Sequence, residues 1–483
     1  MNSDIRNLEP KALWNNFADL NAVPRASKKE ENIIAFMVDF GKKLGFETMV
    51  DPVGNVIIKK PATSGMENRK TIIMQSHLDM VHQKNNDTVF DFSTEGIKML
   101  IDGDWVKADG TTLGADNGLG VATIMSILES TDIEHPAIEA LFTIDEETGM
   151  TGAMGLEAGY LNGEILLNLD TEDDDEIGVG CAGGIDITAS KKYKPENTLE
   201  NASAYKITVK GLQGGHSGMD IHKDFGNANL IMNRVLYALK DISMVSGIDG
   251  GGLRNAIPRE SNAIITVTDK ETVEEAFHTI AKDIIDEYST IENDIEILLE
   301  ECLTPTEVLS KKDQTILLQT IYTTHNSVFR MSPDIDNLVE TSNNVARVLV
   351  KEGDIKILCL TRSSVESGKQ NLVNTITSGF ELANFEIELS GSYPGWKPNP
   401  NSSILKVLQG IYVNLFKEEP NVLACHAGLE CGILGTNYPD IDMISFGPTI
   451  KGAHSPDERA SIRSTQKYWK FVLEILKKIP LKD

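Results

Sequence analysis

Five segments of the chain place a histidine or an acid at, or just beyond, the end of a short apolar run. In Thr71–Val81 (TIIMQSHLDMV), His77 and Asp79 stand two apart, so on extended chain their side chains share a face. That spacing suits an imidazole that binds a metal ion and a carboxylate that orients the imidazole. In Gly114–Gly120 (GADNGLG), Asp116 lies in a glycine-flanked turn ahead of an apolar, helix-like stretch. Ala140–Gly149 (ALFTIDEETG) ends its apolar run in three adjacent acids that include Glu146 and Glu147. Such crowding is costly without a cation. Adjacent carboxylates can also divide labour, one binding metal and the next acting as general base on a water. Glu164–Glu172 (EILLNLDTE) carries Asp170 at its strand end, and Phe446–Asp457 (FGPTIKGAHSPD) brings His454 after a strand and a glycine-containing loop.

Taken singly, each has an ordinary explanation: a polar strand end, a helix cap or Asx turn for Asp116, a solvated acidic loop, a surface histidine. Their recurrence at strand ends is what points to one site, because ligands of open α/β sheets bind at the carboxyl ends of the strands. Two imidazoles with several carboxylates form a mixed N/O donor set. It suits zinc, cobalt or manganese and does not select among them. No GxSxG, no phosphate loop ending in GK[ST] and no HExxH occurs, so serine-hydrolase, nucleotide and zincin chemistry lack their marks.

The elements that would position these residues alternate between strand-like and helix-like runs up to about residue 180: a helix over 30–45, strands at Asn55–Lys59 and Lys70–Met74, a buried helix at Leu119–Glu129, and strands at Ala140–Ile144 and Glu164–Leu169. The acidic run Glu172–Glu176 reads as a solvated loop. After the glycine-rich VGCAGG at 179–184 the texture changes. Period-two strands such as Tyr205–Lys210 now alternate with helices near 224–240, 271–288, 313–322 and 365–382. Two rounds of strand and helix suggest a duplicated α+β insert, although no sequence repeat is visible. Past the proline-rich Gly391–Pro400 the earlier pattern returns, with helices near 402–417 and 462–478. The expected fold class is α/β: a domain with a mixed, partly parallel central sheet flanked by helices, interrupted by an α+β domain. The expected division is 1–184, 185–393 and 394–483, the first and last parts forming one domain.

With 483 residues the chain is long enough for two or three domains, and 72 acids against 45 Lys and Arg leave it at −27. That charge repels phosphate backbones and anionic lipids, so neither nucleic acid nor membrane is expected as a partner. The N-terminal residues show no basic stretch followed by an apolar run, and no apolar run approaches the ~18 residues of a membrane span. The five scattered cysteines contain no CxxC pair, which argues against a disulfide framework or a thiolate zinc site. A cytoplasmic protein is expected.

The chain resembles the co-catalytic di-zinc metallopeptidases, the family of aminoacylases, glutamate carboxypeptidase and carnosinases. The likeness rests on SHLDMV at 76–81, LGADNGLGVA at 113–122, DEETGMTGA at 145–153, NLDTED at 168–173, GGHSG at 214–218 and GAHSPDE at 452–458, in the family's order. It implies two divalent metal ions, zinc first and cobalt or manganese as alternatives, with Asp116 between them. His77 and Asp170 would complete one metal's ligands, Glu147 and His454 the other's. Glu146 would be the general base, and Asp79 would orient His77. The insert would be the family's lid, with His216 stabilising an oxyanion and Asn255 and Arg362 binding substrate; His426 would line the same pocket. The implied activity is hydrolysis of unsubstituted dipeptides, including those ending in histidine. An aminoacylase, a tripeptidase and a catalytically silent metal- or peptide-binding protein remain as alternatives. A homodimer is one way to deliver His216; a lid long enough to act within its own chain is the other.

Overall fold

The computed structural model describes residues 3–399 and 401–482, which divide into two compact units. The first comprises Met1–Gly180, Pro398–Ala424 and Leu429–Asp483; the second comprises Cys181–Lys397 with Cys425–Gly428. The expected breaks at 184 and 393 fall inside the second unit. Gly183 and Gly184 are already paired with Ser363 and Arg362 in its sheet, and Tyr393 pairs back to Gly184.

The first unit is built on an eight-stranded sheet in the order Glu47–Val50, Val56–Lys60, Ile138–Thr143, Ile72–His77, Ile165–Asn168, Asp442–Ser445, Glu176–Cys181, Asn421–Cys425. Its four middle strands, from Ile138–Thr143 to Asp442–Ser445, run parallel, and the pairs that flank them are antiparallel. All sixteen residues of Ile138–Thr143, Ile72–His77 and Ile165–Asn168 are buried. Strands covered on both faces are rich in apolar residues; here the apolar runs are interrupted by the buried polar Glu139, Gln75, Ser76 and Asn168. The helix Ala115–Glu129, buried along almost its whole length, packs on Ile72–His77 and against the helix Lys11–Leu20. Trp14, Phe17, Leu119 and Ala122 meet in one core cluster. A small antiparallel sheet joins Ile450–Lys451, Arg459–Ser461, Trp105–Ala108 and Met99–Asp102, tying the chain's last segment to its first third.

The second unit holds a nine-stranded sheet whose strands all pair antiparallel. Its helices Ala228–Leu239, Lys270–Tyr288, Lys311–Thr323 and Glu366–Leu382 share one apolar core with the strands. The duplication is real and topological. Ser203–Lys210, Met244–Gly251, Ser261–Val267 and Glu296–Cys302, with their two helices, form a βαββαβ unit of strand order 4-1-3-2. Gly183–Lys192, Val339–Lys351, Asp354–Ser363 and Glu386–Tyr393 repeat that order, and the two second strands pair to join the halves. The first half is inserted between the first strand and first helix of the second half.

The acidic run at 172–176 is less free than expected. Lys451 Nζ lies 2.7 Å from Asp173, Lys467 Nζ 2.6 Å from Asp174, and Asn421 Nδ2 donates to Asp175 at 3.0 Å. Neighbouring cations and an amide relieve the repulsion that a bare run of acids would carry.

A buried knot holds the loop after Ile138–Thr143. Asp51 Oδ1 accepts the backbone N–H of Val53, Gly54 and Asn55 at 3.0, 2.8 and 2.8 Å. Its Oδ2 accepts Asn55 Nδ2 at 2.6 Å, and the same amide donates to the Gly152 carbonyl at 2.8 Å. Asp51→Ala strands these donors, and the expected loss is about 2–4 kcal/mol. It should show as a lower urea midpoint by tryptophan fluorescence; an unchanged midpoint would refute the knot's importance.

Candidate metal centre

Parallel register delivers the first three chemical groups to one edge. His77 is the last residue of its strand and pairs with Thr143; Gln75, in the same strand, pairs with Asn168. The residues that follow Thr143 and Asn168, namely Glu146, Glu147 and Asp170, therefore leave the sheet beside His77. His454 arrives further along the chain than the next parallel strand, Asp442–Ser445, on the turn that joins Ile450–Lys451 to Arg459–Ser461.

Asp116 stands between the two imidazoles. Its Oδ1 lies 3.2 Å from His77 Nε2 and its Oδ2 3.2 Å from His454 Nε2. Asp170 Oδ1 is 3.5 Å from His77 Nε2, and Glu147 Oε2 is 3.0 Å from His454 Nε2. The helix-cap explanation for Asp116 fails, because Gly114 occupies the cap position and both Asp116 and Asn117 have non-helical dihedrals. Behind this row, Asp79 Oδ1 lies 3.4 Å from His77 Nδ1. Asp79 also accepts the backbone N–H of Glu146 at 3.0 Å and of Glu147 at 3.3 Å, and the Ser27 hydroxyl at 2.8 Å. It thus orients one imidazole and the two adjacent acids at once. Asn117 Nδ2 donates to the Leu169 carbonyl at 2.7 Å and to Asp170 Oδ1 at 2.5 Å.

The electrostatics show how strained the charge balance is. Burial opposes ionisation of Asp116, yet hydrogen bonds from His454 and His77 hold its pKa well below the usual carboxylate range. His454 is pushed up to about 11 by Asp116 and Glu147. Burial raises Asp170 to about 6, with Asp116 and Glu147 adding repulsion that His77 only partly relieves. Glu146 is raised well above its ordinary value, first by burial. His454 and Asp145 both adopt left-handed backbone, at φ 64° and 54°, a conformation uncommon for residues other than glycine.

Among the described residues four groups could hold a metal ion: two share Asp116, a third joins His77 to Glu146 and Glu147, and a fourth is Glu30, Asp79 and Asp145. The donor atoms of His77, Asp116 and Asp170 lie within 4.8 Å of one another, as do those of Asp116, Glu147 and His454, and either set could hold a metal ion. A divalent cation fits this donor set chemically: it supplies the positive charge that the acids otherwise take from protonated imidazoles. Glu147 Oε1, buried and without a hydrogen-bond partner, also has a lone pair to offer.

The remaining expected residues lie in the second unit. His216 Nδ1 accepts the backbone N–H of Gly218 at 3.2 Å and of Met219 at 3.1 Å, which leaves Nε2 as the protonated, donating nitrogen. Burial and Arg362 lower its pKa, so the ring is neutral. The Asn255 carbonyl accepts from the Ser217 backbone N–H at 2.8 Å, placing Asn255 beside the histidine's loop. Arg362, 5% exposed, donates to the Tyr393 hydroxyl at 2.7 Å, and its Nε has no partner. His426 Nε2 lies 2.8 Å from the Ser342 hydroxyl; burial and then Arg362 push its pKa down to about 3.

Motif reading passes over several buried polar residues, Ser27 among them. Arg25 donates to the carbonyls of Leu78, Asp79 and Gly114. Glu430 meets Gln75 Nε2 at 2.6 Å and the Thr143 hydroxyl at 2.7 Å, and burial pushes its pKa up to about 7. Glu458 stands in the GAHSPDE motif, which by itself gives it no role.

The fold and this cluster define a class of hydrolase, and comparison with known proteins agrees. The model of peptidase family M20/M25/M40 matches residues 73–478, and the chain belongs to that family. Cytosol non-specific dipeptidase of Escherichia coli (strain K12) is 43% identical over 484 residues, covering 99% of this chain and all of that protein. The crystal structure of aminoacylhistidine dipeptidase from Vibrio alginolyticus superposes with a TM-score of 0.94 at 43% identity, covering 100% of this chain and 99% of that one. Aminopeptidase PepT from Bacillus cereus shares the fold at a TM-score of 0.58 and 16% identity, covering 98% and 99% of the two chains. The family is metal-dependent, and these relatives are peptide hydrolases. No helix among the described residues is long and apolar enough to cross a membrane.

Glu430 carries a pH consequence. Its pKa rises from 4.5 to about 7 on folding, so between those values the folded chain holds a proton that the unfolded chain releases. Stability then falls as pH rises through that window. Asp170 and Glu458, raised to about 6 and about 7, act in the same direction. By calorimetry the metal-free protein should be more stable at pH ~5.5 than at pH ~8. Added divalent metal should stabilise more at the higher pH, because binding needs deprotonated ligands. A metal-free stability that rises over this range would contradict the assignment.

Proposed function

We propose that this chain is a metal-dependent dipeptidase that cleaves unsubstituted dipeptides, Xaa-His among them, at the site around Asp116. The observation that carries the reading is Asp116 itself, with one carboxylate oxygen toward His77 and the other toward His454. In this reading His77 and Asp170 hold one divalent ion, Glu147 and His454 the other, and Asp116 both, with zinc the first candidate. Such ions, when bound, supply Lewis-acid polarisation of the scissile carbonyl and lower the pKa of the attacking water.

The chain's own residues would do the rest. Glu146 accepts the water's proton on its carboxylate and delivers it to the departing amine nitrogen. A carboxyl whose pKa is raised by burial holds that proton well enough to pass it on. Asp79 keeps His77 and the backbone of Glu146 and Glu147 in place. His216, neutral with Nε2–H free to donate, stabilises the oxyanion that exists only in the transition state. Arg362 pairs with the dipeptide's terminal carboxylate, and Asn255 adds an amide contact. The full-length likeness to two dipeptidases supports this substrate class. A cytosolic location fits the name of the E. coli relative.

The test is a panel of Xaa-His and other dipeptides, tripeptides and N-acyl amino acids, assayed with zinc, cobalt or manganese. Dipeptides should be cleaved fastest. Faster turnover of tripeptides or N-acyl amino acids would replace the dipeptidase reading, and no turnover would leave only binding. Glu146→Gln should keep its metal and lose about 10²–10⁴-fold in kcat; near-normal kcat would remove Glu146 as the base.

A further inference from the structure

The helix Ala115–Glu129 begins without a side-chain cap from its own neighbourhood, since Gly114 occupies the cap position. The first backbone N–H groups of a helix have no partners within it, and burying them unpaired is costly. Here one distant side chain takes them. Glu458, 2% exposed, accepts Leu113 N at 2.7 Å and Gly114 N at 2.9 Å on Oε2, and Ala115 N at 2.7 Å and Asp116 N at 3.2 Å on Oε1. Four successive amides converge on one carboxylate from a residue 342 positions further along the chain than Asp116.

Two consequences follow from where Glu458 sits. Asp116, relieved of capping, has both carboxylate oxygens available to His77 and His454. Glu458 also lies just after His454, on a short segment closed by Glu458 N donating to the Ser455 carbonyl at 3.0 Å. The carboxylate therefore ties the loop that carries His454 to the loop that carries Asp116. Arg25 grips the same turn from its other side: Nη2 donates to the Gly114 carbonyl at 2.5 Å, while Nη1 donates to the carbonyls of Leu78 and Asp79 at 3.1 and 3.0 Å.

We infer that Glu458 is a positioning residue of the metal centre: by binding the four amides of 113–116 it sets the distance between Asp116 and His454, and so the affinity for the ion those two residues share. The inference rests on the reading of the site as a metal centre. Glu458 itself touches neither metal nor substrate.

The test measures metal affinity on the full chain. Metal-free wild type and Glu458→Gln are titrated with zinc against a chromogenic chelator, and the thermal midpoint of each metal-free protein is recorded. Glutamine keeps one acceptor oxygen and turns an NH2 toward two of the amides. Loss of such an outer support weakens metal binding about 10- to 100-fold, and that loss is expected at the weaker-bound zinc. In a His454→Ala background the same substitution should cost much less, because the residue it positions is gone. If wild type binds no zinc, the metal-centre reading itself fails. If wild type binds and Glu458→Gln binds within a factor of two, with or without a lower thermal midpoint, Glu458 is only a helix cap and the inference is overturned. Equal losses in the two backgrounds overturn it as well. Should Glu458→Gln not fold, Glu458→Asp keeps the charge and withdraws it by one methylene; wild-type affinity in that variant would count against the inference.

Discussion

The arrangement hinges on carboxylates that cannot stand together without positive charge. Asp116, Glu147 and Asp170 crowd around two imidazoles, His77 buried and His454 exposed, with Glu146 alongside and the acids half-buried. Two like charges at ~4 Å repel by roughly 4 kcal/mol at an effective dielectric near 20. Without a cation, the protein answers by shifting protons: His454 is held protonated, and Asp170 and Glu146 are pushed toward their neutral forms. Burial is the first cause of the last two shifts, and neighbouring acids add to both.

Holding such groups close requires a framework that does not relax away from them, and the parallel sheet provides it. His77, the 144–147 loop and Asp170 leave adjacent buried strands in register, so their separation is set by strand spacing rather than by loop conformation. The two groups not supplied by these strands, Asp116 and His454, come from a helix start and a late loop. They are the ones that need extra fastening, through Arg25 and Glu458. Asp79 ties the groups from the strands together by accepting from both amides of the Glu146–Glu147 pair while facing His77.

Much of this was legible in the sequence because the chemistry follows directly on apolar runs. A buried parallel strand is mostly apolar, so a histidine or acid at its end stands out, and His77, Glu146, Glu147 and Asp170 could be read that way. Asp116 was ambiguous, since a glycine-flanked aspartate before a helix is also what a cap looks like; Gly114 at the cap position and the non-helical backbone of Asp116 remove that explanation, and the distant Glu458 takes the amides instead. Arg25 and Glu458 were opaque because their partners are backbone groups of remote segments, which leave no pattern of side-chain types. The duplication in the second unit escaped proof for another reason. It is a repeat of topology, interrupted where one half is inserted into the other, and periodic residue types do not record it.

The central claim is that the acids and imidazoles around Asp116 form a two-ion centre. Anomalous diffraction from crystals of the protein grown with zinc, collected on either side of the zinc absorption edge, tests it most directly. The account predicts two peaks about 3.5–4 Å apart, one beside His77 and Asp170 and the other beside Glu147 and His454, with Asp116 reaching both. A single peak, or peaks away from Asp116, would contradict it.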